Sequence, residues 1–168
     1  MNIFRPVKQD SGVTLVELLT IVSIIGILIV ALGFSFQGWL GNYKIESEIK
    51  QMYADIMDAR TRAMTQNMMH FIVINSGNYA AYEDTNDNNT ANPGAGDTLL
   101  KTTTLQYNVE STGTGTITFN TKGLTTSSAA ISIPITLPSG AYPDFNCIVV
   151  YQSRVGMGKM SGGVCVYK

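Results

Sequence analysis

The chain has 168 residues, of which 45% are hydrophobic and only 14% charged, and its formal net charge is −1. That length suits one domain, and a soluble domain usually carries about 25% charged residues. Eleven basic residues against twelve acidic ones argue against a general nucleic-acid binder, and one histidine with two cysteines rules out most multi-ligand zinc sites. The low charge directs attention to where the apolar residues lie.

The first predicted element is an apolar helix near the N-terminus. Residues 13–32 read VTLVELLTIVSIIGILIVAL, with fifteen apolar residues of twenty and a single charge, Glu17. Twenty helical residues span about 30 Å, the hydrocarbon thickness of a bilayer. The basic bias of Arg5 and Lys8 would keep the preceding segment in the cytoplasm. The pattern predicts a single membrane-spanning helix, with the rest of the chain outside the cytoplasm.

Two simpler interpretations of this apolar segment remain open. A removed signal peptide could end at Ala31-Leu32-Gly33, but its apolar run would usually be about 7–15 residues, shorter than this one. A plain signal anchor fits the length and leaves Glu17 unexplained. A carboxylate inside a bilayer is costly and usually marks a functional position. Glu17 therefore favours a third interpretation.

The residues around Glu17 resemble the type IV prepilin signal. A short charged leader ends at Gly12, and the following VTLVELL resembles the G-F-T-L-I-E-L-L signature of pilins and pseudopilins. The resemblance implies that residues 1–12 are a leader, that prepilin peptidase cuts between Gly12 and Val13, and that it N-methylates Val13. It also implies that Glu17, fifth in the mature chain, meets the amino terminus of a neighbouring subunit. That opposite charge would relieve the desolvation of the carboxylate.

The helix is predicted to continue well beyond the apolar segment. Its outer half has apolar residues at steps of three and four, which place them on one face: Ile45, Ile49, Met52, Ile56, Ala59 and Ala63. One helix over residues 13–67 is predicted, with this face packed on a head. Residues 58–67, DARTRAMTQN, resemble the A-R-x-x-A-x-x-x-N close of the long helix in H-type pseudopilins of type II secretion and FimT-like minor pilins.

The remainder of the chain, residues 68–168, is predicted to form a β-rich head. Its apolar residues alternate, and clusters of Gly, Asn, Ser and Pro separate the alternating runs. Strands are predicted at residues 71–74, 79–82, 98–109, 116–120, 130–137 and 146–151. The predicted fold class is α+β, a long N-terminal helix packed on an antiparallel β-rich head.

Cys147 and Cys165 are the only cysteines. In an oxidising compartment a bridge between them is expected, and it would resemble the disulfide-bounded region of type IV pilins. Because bridged Cα atoms lie within about 7 Å, we expect that the two do not occupy the outer strands of a three-stranded meander. A hairpin turning near Gly156 would place them opposite each other. Two free thiols are the alternative.

One loop carries oxygen ligands at a spacing typical of calcium sites. Asp84, Asn86 and Asn88, followed by Asp97, resemble the first half of a calcium loop, and no cofactor other than calcium at this loop is expected. The glycine and glutamate of such a loop are missing. The alternative is a surface turn in which Asn and Asp bond to the local backbone.

No constellation of catalytic groups is present in the sequence, which predicts a non-enzymatic structural subunit. We expect a minor pilin or pseudopilin of a type II secretion or type IV pilus filament, anchored in the bacterial inner membrane with a periplasmic head. Its partners would be other pilin or pseudopilin subunits, prepilin peptidase and the membrane assembly platform. The alternative is a filament-tip minor pilin that binds DNA or an adhesion ligand. Arg154 and Lys159 are the candidate DNA contacts, although the near-neutral head disfavours nucleic acid.

Overall fold

The structure is a computed structural model that describes residues 12–94, 96–111, 115–127 and 130–168, without the side chains of residues 32–38. The predicted leader, apart from Gly12, lies outside the described residues. Contacts divide the chain into two units, Met1–Trp39 and Leu40–Lys168. The elements, in chain order, are α1 (Leu15–Gln66), β1 (His70–Asn75), β2 (Asn78–Glu83), β3 (Thr98–Thr104), β4 (Thr116–Phe119), β5 (Ile131–Pro134), β6 (Cys147–Val150), β7 (Val155–Ser161) and β8 (Val164–Tyr167).

Helix α1 begins where a threonine caps it. The Thr14 hydroxyl oxygen accepts a hydrogen bond from the Glu17 N–H at 3.2 Å, and the Thr14 carbonyl accepts one from the Leu18 N–H. A threonine followed three residues later by glutamate is the sequence pattern of a capping box. In this unit the large apolar side chains from Val13 to Val30 are each at least 49% exposed. Among the described residues, no helix has the length and apolarity that crossing a membrane requires.

The second half of α1 belongs to the other unit and is amphipathic. All six residues of the predicted apolar face are 2% exposed or less, which confirms that face as core. The helix ends at Gln66, and Asn67 follows with φ of +54°. Asparagine tolerates this left-handed conformation better than most residues, which suits it to close a helix.

Two antiparallel sheets complete the second unit. The first has the strand order β3-β2-β1-β4 and the second β5-β6-β7-β8. Isolated bridges join Val109 to Ile135 and Phe119 to Thr125, so the connecting segments link the two sheets. The α1 face packs with isoleucines of both sheets in one core: Ile72, Ile117, Ile133 and Ile148. The predicted α+β class is confirmed.

The prediction of one strand from residue 98 to Val109 is wrong. Strand β3 ends at Thr104, because the chain then turns toward other partners. The Leu105 N–H donates to the Gly77 carbonyl, and the N–H groups of Gln106 and Tyr107 donate to the Glu48 carboxylate at 2.6 and 3.3 Å. A helix side chain therefore satisfies the backbone that a longer strand would have paired.

The predicted arrangement of the C-terminal segment is also wrong. Gly156 lies within β7 and not in a turn, and Cys147 and Cys165 lie on β6 and β8, the outer strands of a three-stranded meander. Their Cα atoms are nevertheless 6.0 Å apart, and β6 and β8 approach each other directly. A flat sheet would separate these strands by about twice 4.8 Å. The meander therefore curls until its outer strands meet.

Candidate functional site

The residues of the predicted processing site lie at the start of α1. Gly12 and Val13 are exposed and precede the helix, and no described atom lies within 4 Å of the position that a Cβ on Gly12 would occupy. Glu17 is exposed in the first helical turn. A carboxylate there interacts favourably with the helix dipole. The arrangement offers an accessible backbone bond next to a capped helix whose first turn bears one negative charge.

A polar cluster joins the second half of α1 to the first sheet. The Asp55 carboxylate accepts hydrogen bonds from the Tyr79 hydroxyl at 2.6 Å, from Lys101 Nζ at 2.7 and 2.8 Å, and from Gln51 at 3.2 Å. Burial opposes ionisation, but the bonds from Lys101, Tyr79 and Gln51 outweigh it and hold the pKa of Asp55 below its usual value. Burial, with the bond to Asp55, raises the pKa of Tyr79 well above its usual range.

Further α1 side chains bind backbone amides of the head loops. The Asn42 side-chain oxygen accepts from the Tyr142 N–H at 2.8 Å, and the Glu46 carboxylate accepts from the Asp144 N–H at 2.9 Å. Charged acceptors make stronger hydrogen bonds than neutral ones. Glu46 lies outside the predicted apolar face, and nothing in a sequence shows which loop amides will face such a side chain.

The motif at the end of α1 has a physical explanation in the structure. Ala59 and Ala63 are buried and small, so the sheets can approach the helix closely there. Arg60 donates from a terminal nitrogen to the Ser153 carbonyl at 2.9 Å, which ties the turn between β6 and β7 to the helix. Asn67 closes the helix in the left-handed conformation. Each motif residue therefore secures a junction between α1 and the head.

The structure places a disulfide between Cys147 and Cys165. The bridge lies in a second small core with Val149, packed against Tyr151 and Met160. This core explains why β6 is buried on both of its faces: one faces the main core and the other faces the bridge. The sequence signal for this arrangement was the pair of glycines in β7, Gly156 and Gly158. Because neither has a Cβ, residues of β8 can approach β7 closely there.

The proposed calcium ligands lie in the loop between β2 and β3. Asp84 is buried, and its carboxylate accepts from the Asn88 and Asn89 N–H groups at 3.2 and 2.8 Å. The Asp97 carboxylate accepts from the Asn92 N–H, and the side chains of Asn86 and Asn88 bond to amides two residues on. In the described parts of the chain no three His, Cys, Asp or Glu side chains group as a metal site. These contacts favour the surface turn, and calcium binding stays a prediction.

The structure does not bring the two candidate DNA contacts together. The Arg154 guanidinium lies 4.6 Å from the Tyr151 ring centroid and 5.7 Å from that of Tyr167. The Tyr167 ring covers Gly156 on one face of β7. Because side chains alternate along a strand, Lys159 lies on the opposite face of β7. Arg154 and Lys159 therefore do not form one basic patch.

A comparison with known protein families identifies the family of this chain. The family model described as type II transport protein GspH matches residues 48–153, from the second half of α1 through β6. The chain belongs to the GspH family. The match begins beyond Glu17 and ends before Cys165, so the N-terminal signal and the disulfide rest on this chain's own residues.

Solved structures of two other proteins share the fold of this GspH-family chain. The minor pseudopilin EpsH from the type 2 secretion system of Vibrio cholerae superposes with a TM-score of 0.52 at 11% identity, over 68% of this chain and 95% of EpsH. The type IV minor pilin FimU of Pseudomonas aeruginosa PAO1 gives a TM-score of 0.53 at 12% identity, over 70% of this chain and 90% of FimU. No curated protein matches the sequence. The structural likeness supports the pilin-like fold.

Proposed function

We propose that this GspH-family chain is a non-enzymatic minor pilin or pseudopilin, a subunit of a type II secretion or type IV pilus filament. It is made as a precursor, cut after Gly12 by prepilin peptidase and N-methylated on Val13. Residues 13–32 hold it in the inner membrane with the head in the periplasm. An assembly platform then transfers it into a filament, where Glu17 pairs with the amino terminus of a neighbouring subunit.

The observation that carries this proposal is the contrast between the two halves of α1. The apolar residues of the second half are buried in the head, whereas those from Val13 to Val30 are each about half exposed or more. Burying one large apolar side chain stabilises a protein by roughly 1.5–3 kcal/mol. An exposed run of this length therefore requires an apolar cover, which a bilayer supplies before assembly and neighbouring helices supply within a filament.

The role of Glu17 can be tested separately from its place in the helix cap. Glu17→Gln removes the charge and keeps a side chain suited to the third helical position, whereas Thr14→Ala removes the cap and keeps the charge. We expect Glu17→Gln to lose most incorporation into sheared filaments, measured by immunoblot against the membrane pool. Thr14→Ala should retain most of it.

Equal incorporation of Glu17→Gln and the parent would contradict the assembly role. A loss confined to Thr14→Ala would show that the first turn needs its cap and not its charge. Both variants must accumulate in the membrane at the parent level, because a degraded subunit would also be missing from filaments.

A second candidate function is ligand binding at a filament tip. The exposed Arg154 stacked on Tyr151 and Tyr167 combines a cation with aromatic rings, a combination found in nucleic-acid sites. Electrophoretic shift with single-stranded DNA tests this function. Arg154→Ala should weaken such binding, and Lys159→Ala, on the opposite face, should not. If the parent chain gives no shift, the DNA-binding function is rejected and only the structural role remains.

A further inference from the structure

Three cations lie around one junction of the second unit, and the described residues offer them no carboxylate. Nine lysines and arginines follow residue 40, and four of them form ion pairs: Lys50, Arg62, Lys101 and Lys168. Within the described ranges, no carboxylate oxygen lies within 4.0 Å of the side-chain nitrogens of Arg60, Lys122 or Arg154. These three positive charges can therefore receive an anion from outside the chain.

Arg60 and Arg154 meet at the turn between β6 and β7. A terminal nitrogen of Arg60 donates to the Ser153 carbonyl at 2.9 Å, and the exposed Arg154 is the next residue. A carbonyl is a neutral acceptor, so this bond fixes the Arg60 guanidinium and leaves its charge in place. The helix and the turn therefore bring two positive charges close together.

Lys122 belongs to the same junction. It is exposed in the turn after β4, and the Thr125 N–H of that turn donates to a carbonyl of the β6–β7 turn at 2.9 Å. A Cβ on the neighbouring Gly123 would lie 2.6 Å from Met64 Sδ, so the turn also contacts α1, one helical turn after Arg60. The helix and the two turns therefore meet, and each contributes one cation. We call Arg60, Lys122 and Arg154 the basic junction.

The segments around the basic junction contain no acidic residue. Residues 59–66, 119–127 and 150–156 include neither Asp nor Glu, and Arg62, their other cation, is paired with Asp58. Most of their remaining exposed side chains are hydroxyls and amides of Thr, Ser and Gln. Proteins contact phosphates with such side chains as well as with Arg and Lys. A local positive surface therefore exists on a chain whose net charge is −1.

Two tyrosine rings beside Arg154 indicate which anion fits this surface. The Arg154 guanidinium carbon lies 4.6 Å from the Tyr151 ring centroid and 5.7 Å from that of Tyr167, which is 55% exposed. Exposed aromatic rings and guanidinium planes stack on unpaired bases, while neighbouring cations hold the phosphates. A duplex hides the faces of its bases inside the stack, and an acidic protein surface gives the rings no comparable partner. The combination therefore favours a single-stranded nucleic acid.

We propose that the basic junction binds the phosphates of a single-stranded nucleic acid, and that Tyr151 and Tyr167 stack on its bases. This inference rests on the second candidate function, ligand binding at a filament tip, and adds the site and the strandedness of the ligand. Lys122, and not the sequence candidate Lys159, is the lysine that the fold brings to this site.

Fluorescence anisotropy with a labelled oligothymidine measures this binding to the full chain in a nonionic detergent, at several salt concentrations. Each phosphate held on a single strand adds about −0.7 to the slope of log K against log [salt], so three phosphates give about −2 for the parent chain. We expect Lys122→Ala and Arg154→Ala each to weaken binding several-fold and to reduce the magnitude of the slope by about 0.7. Lys159→Ala, the matched control that removes the same charge elsewhere, should change neither quantity.

Arg60 needs a pair of variants, because it also holds the β6–β7 turn. Arg60→Gln and Arg60→Lys both lose the guanidinium that binds Ser153, but only Arg60→Lys keeps the positive charge. We expect the magnitude of the salt slope to fall for Arg60→Gln and to stay at the parent value for Arg60→Lys. Equal slopes in the two variants would contradict a phosphate contact at Arg60.

The remaining outcomes separate the site from the tip function. If the parent chain binds oligothymidine but Lys122→Ala behaves like Lys159→Ala, the basic junction is overturned and the tip function stands. If the duplex of oligothymidine with oligoadenine binds as tightly as the single strand, the single-strand assignment is overturned. If the parent chain binds neither, the site and the tip function fall together, and the structural role is unaffected.

Discussion

The charged carboxylate of Asp55 links helix α1 to the first sheet. Its carboxylate collects hydrogen bonds from Tyr79, Lys101 and Gln51 at a half-buried position. Removing one partner from such a cluster leaves the others without their acceptor or donor, which costs more than the net value of one bond. The sequence showed that Asp55 lies off the apolar face, but only the fold shows that Tyr79 and Lys101 meet it.

We predict that Asp55→Asn destabilises the head more at pH 7 than at pH 3. The pKa of Asp55 is lower in the folded than in the unfolded chain. Its stabilising effect is therefore complete above the unfolded pKa of about 3.9 and is lost as pH falls through the folded value. Urea unfolding of the full chain in detergent, followed by circular dichroism at pH 7 and pH 3, measures both differences.

Asp58→Asn is the matched control for this experiment. Asp58 pairs with Arg62 at 2.7 Å on the helix surface, and its side chain is 59% exposed. Such an i,i+4 pair contributes about 0.3–0.5 kcal/mol. An Asp55→Asn loss that is as small as that of Asp58→Asn, or that is the same at both pH values, would contradict the assigned role of Asp55.

Among the elements, the curled meander of β6, β7 and β8 was the least predictable. The rule that outer strands lie too far apart for a disulfide holds only for a flat sheet. In β7 the missing Cβ of Gly158 leaves room for the backbone of Val166, and that of Gly156 leaves room for the Tyr167 ring. The alternating glycines were visible in the sequence, but the direction in which the strands would curl was not.

Gly158→Ala tests whether this close approach allows the bridge. A Cβ there would lie 2.2 Å from the Val166 carbonyl oxygen, so the β8 backbone would have to move. We expect a larger fraction of free thiol in the oxidised protein, measured by maleimide labelling and mass spectrometry, and a lower Tm. Gly77→Ala is the control, because no atom of the described residues lies within 4 Å of its Cβ position. Equal thiol fractions in the two variants would contradict the explanation.

Helix α1 was, by contrast, well predicted from its residues. The spacing of the apolar face in its second half requires only helical periodicity, and the structure buries every predicted member. Its start also had a sequence signal, the Thr14-x-x-Glu17 capping pattern, which was missed because the same residues belong to the prepilin resemblance. Loop features such as the amides held by Glu48 depend on long-range packing and had no local signal.

At the scale of the whole molecule, one core serves both sheets and the helix. Ile56 is fully buried in that core, whereas Ala54, two residues earlier, is exposed. We predict that Ile56→Ala lowers the free energy of unfolding of the head by about 2–5 kcal/mol, because it leaves a cavity. Ala54→Ser should change it by less than about 0.5 kcal/mol. Urea unfolding of the full chain in detergent measures both, and similar values for the two variants would contradict a shared core.

The low overall charge of the chain has different consequences in its two units. In the first it reflects a helix whose apolar side chains are exposed from Val13 to Val30, and in the second a nearly neutral head around a continuous core. Family membership and fold describe the second unit. The processing of the first unit is the central claim that remains to be measured.

Mass spectrometry of the N-terminus of the chain, purified from membranes of cells that express prepilin peptidase, tests that claim most directly. The account predicts a mature chain that begins at Val13 and carries one methyl group on its α-amine, and a longer chain that still includes Gly12 when the peptidase is absent. A mature chain that begins after Gly33, or one that keeps residues 1–12 in the presence of the peptidase, would contradict it.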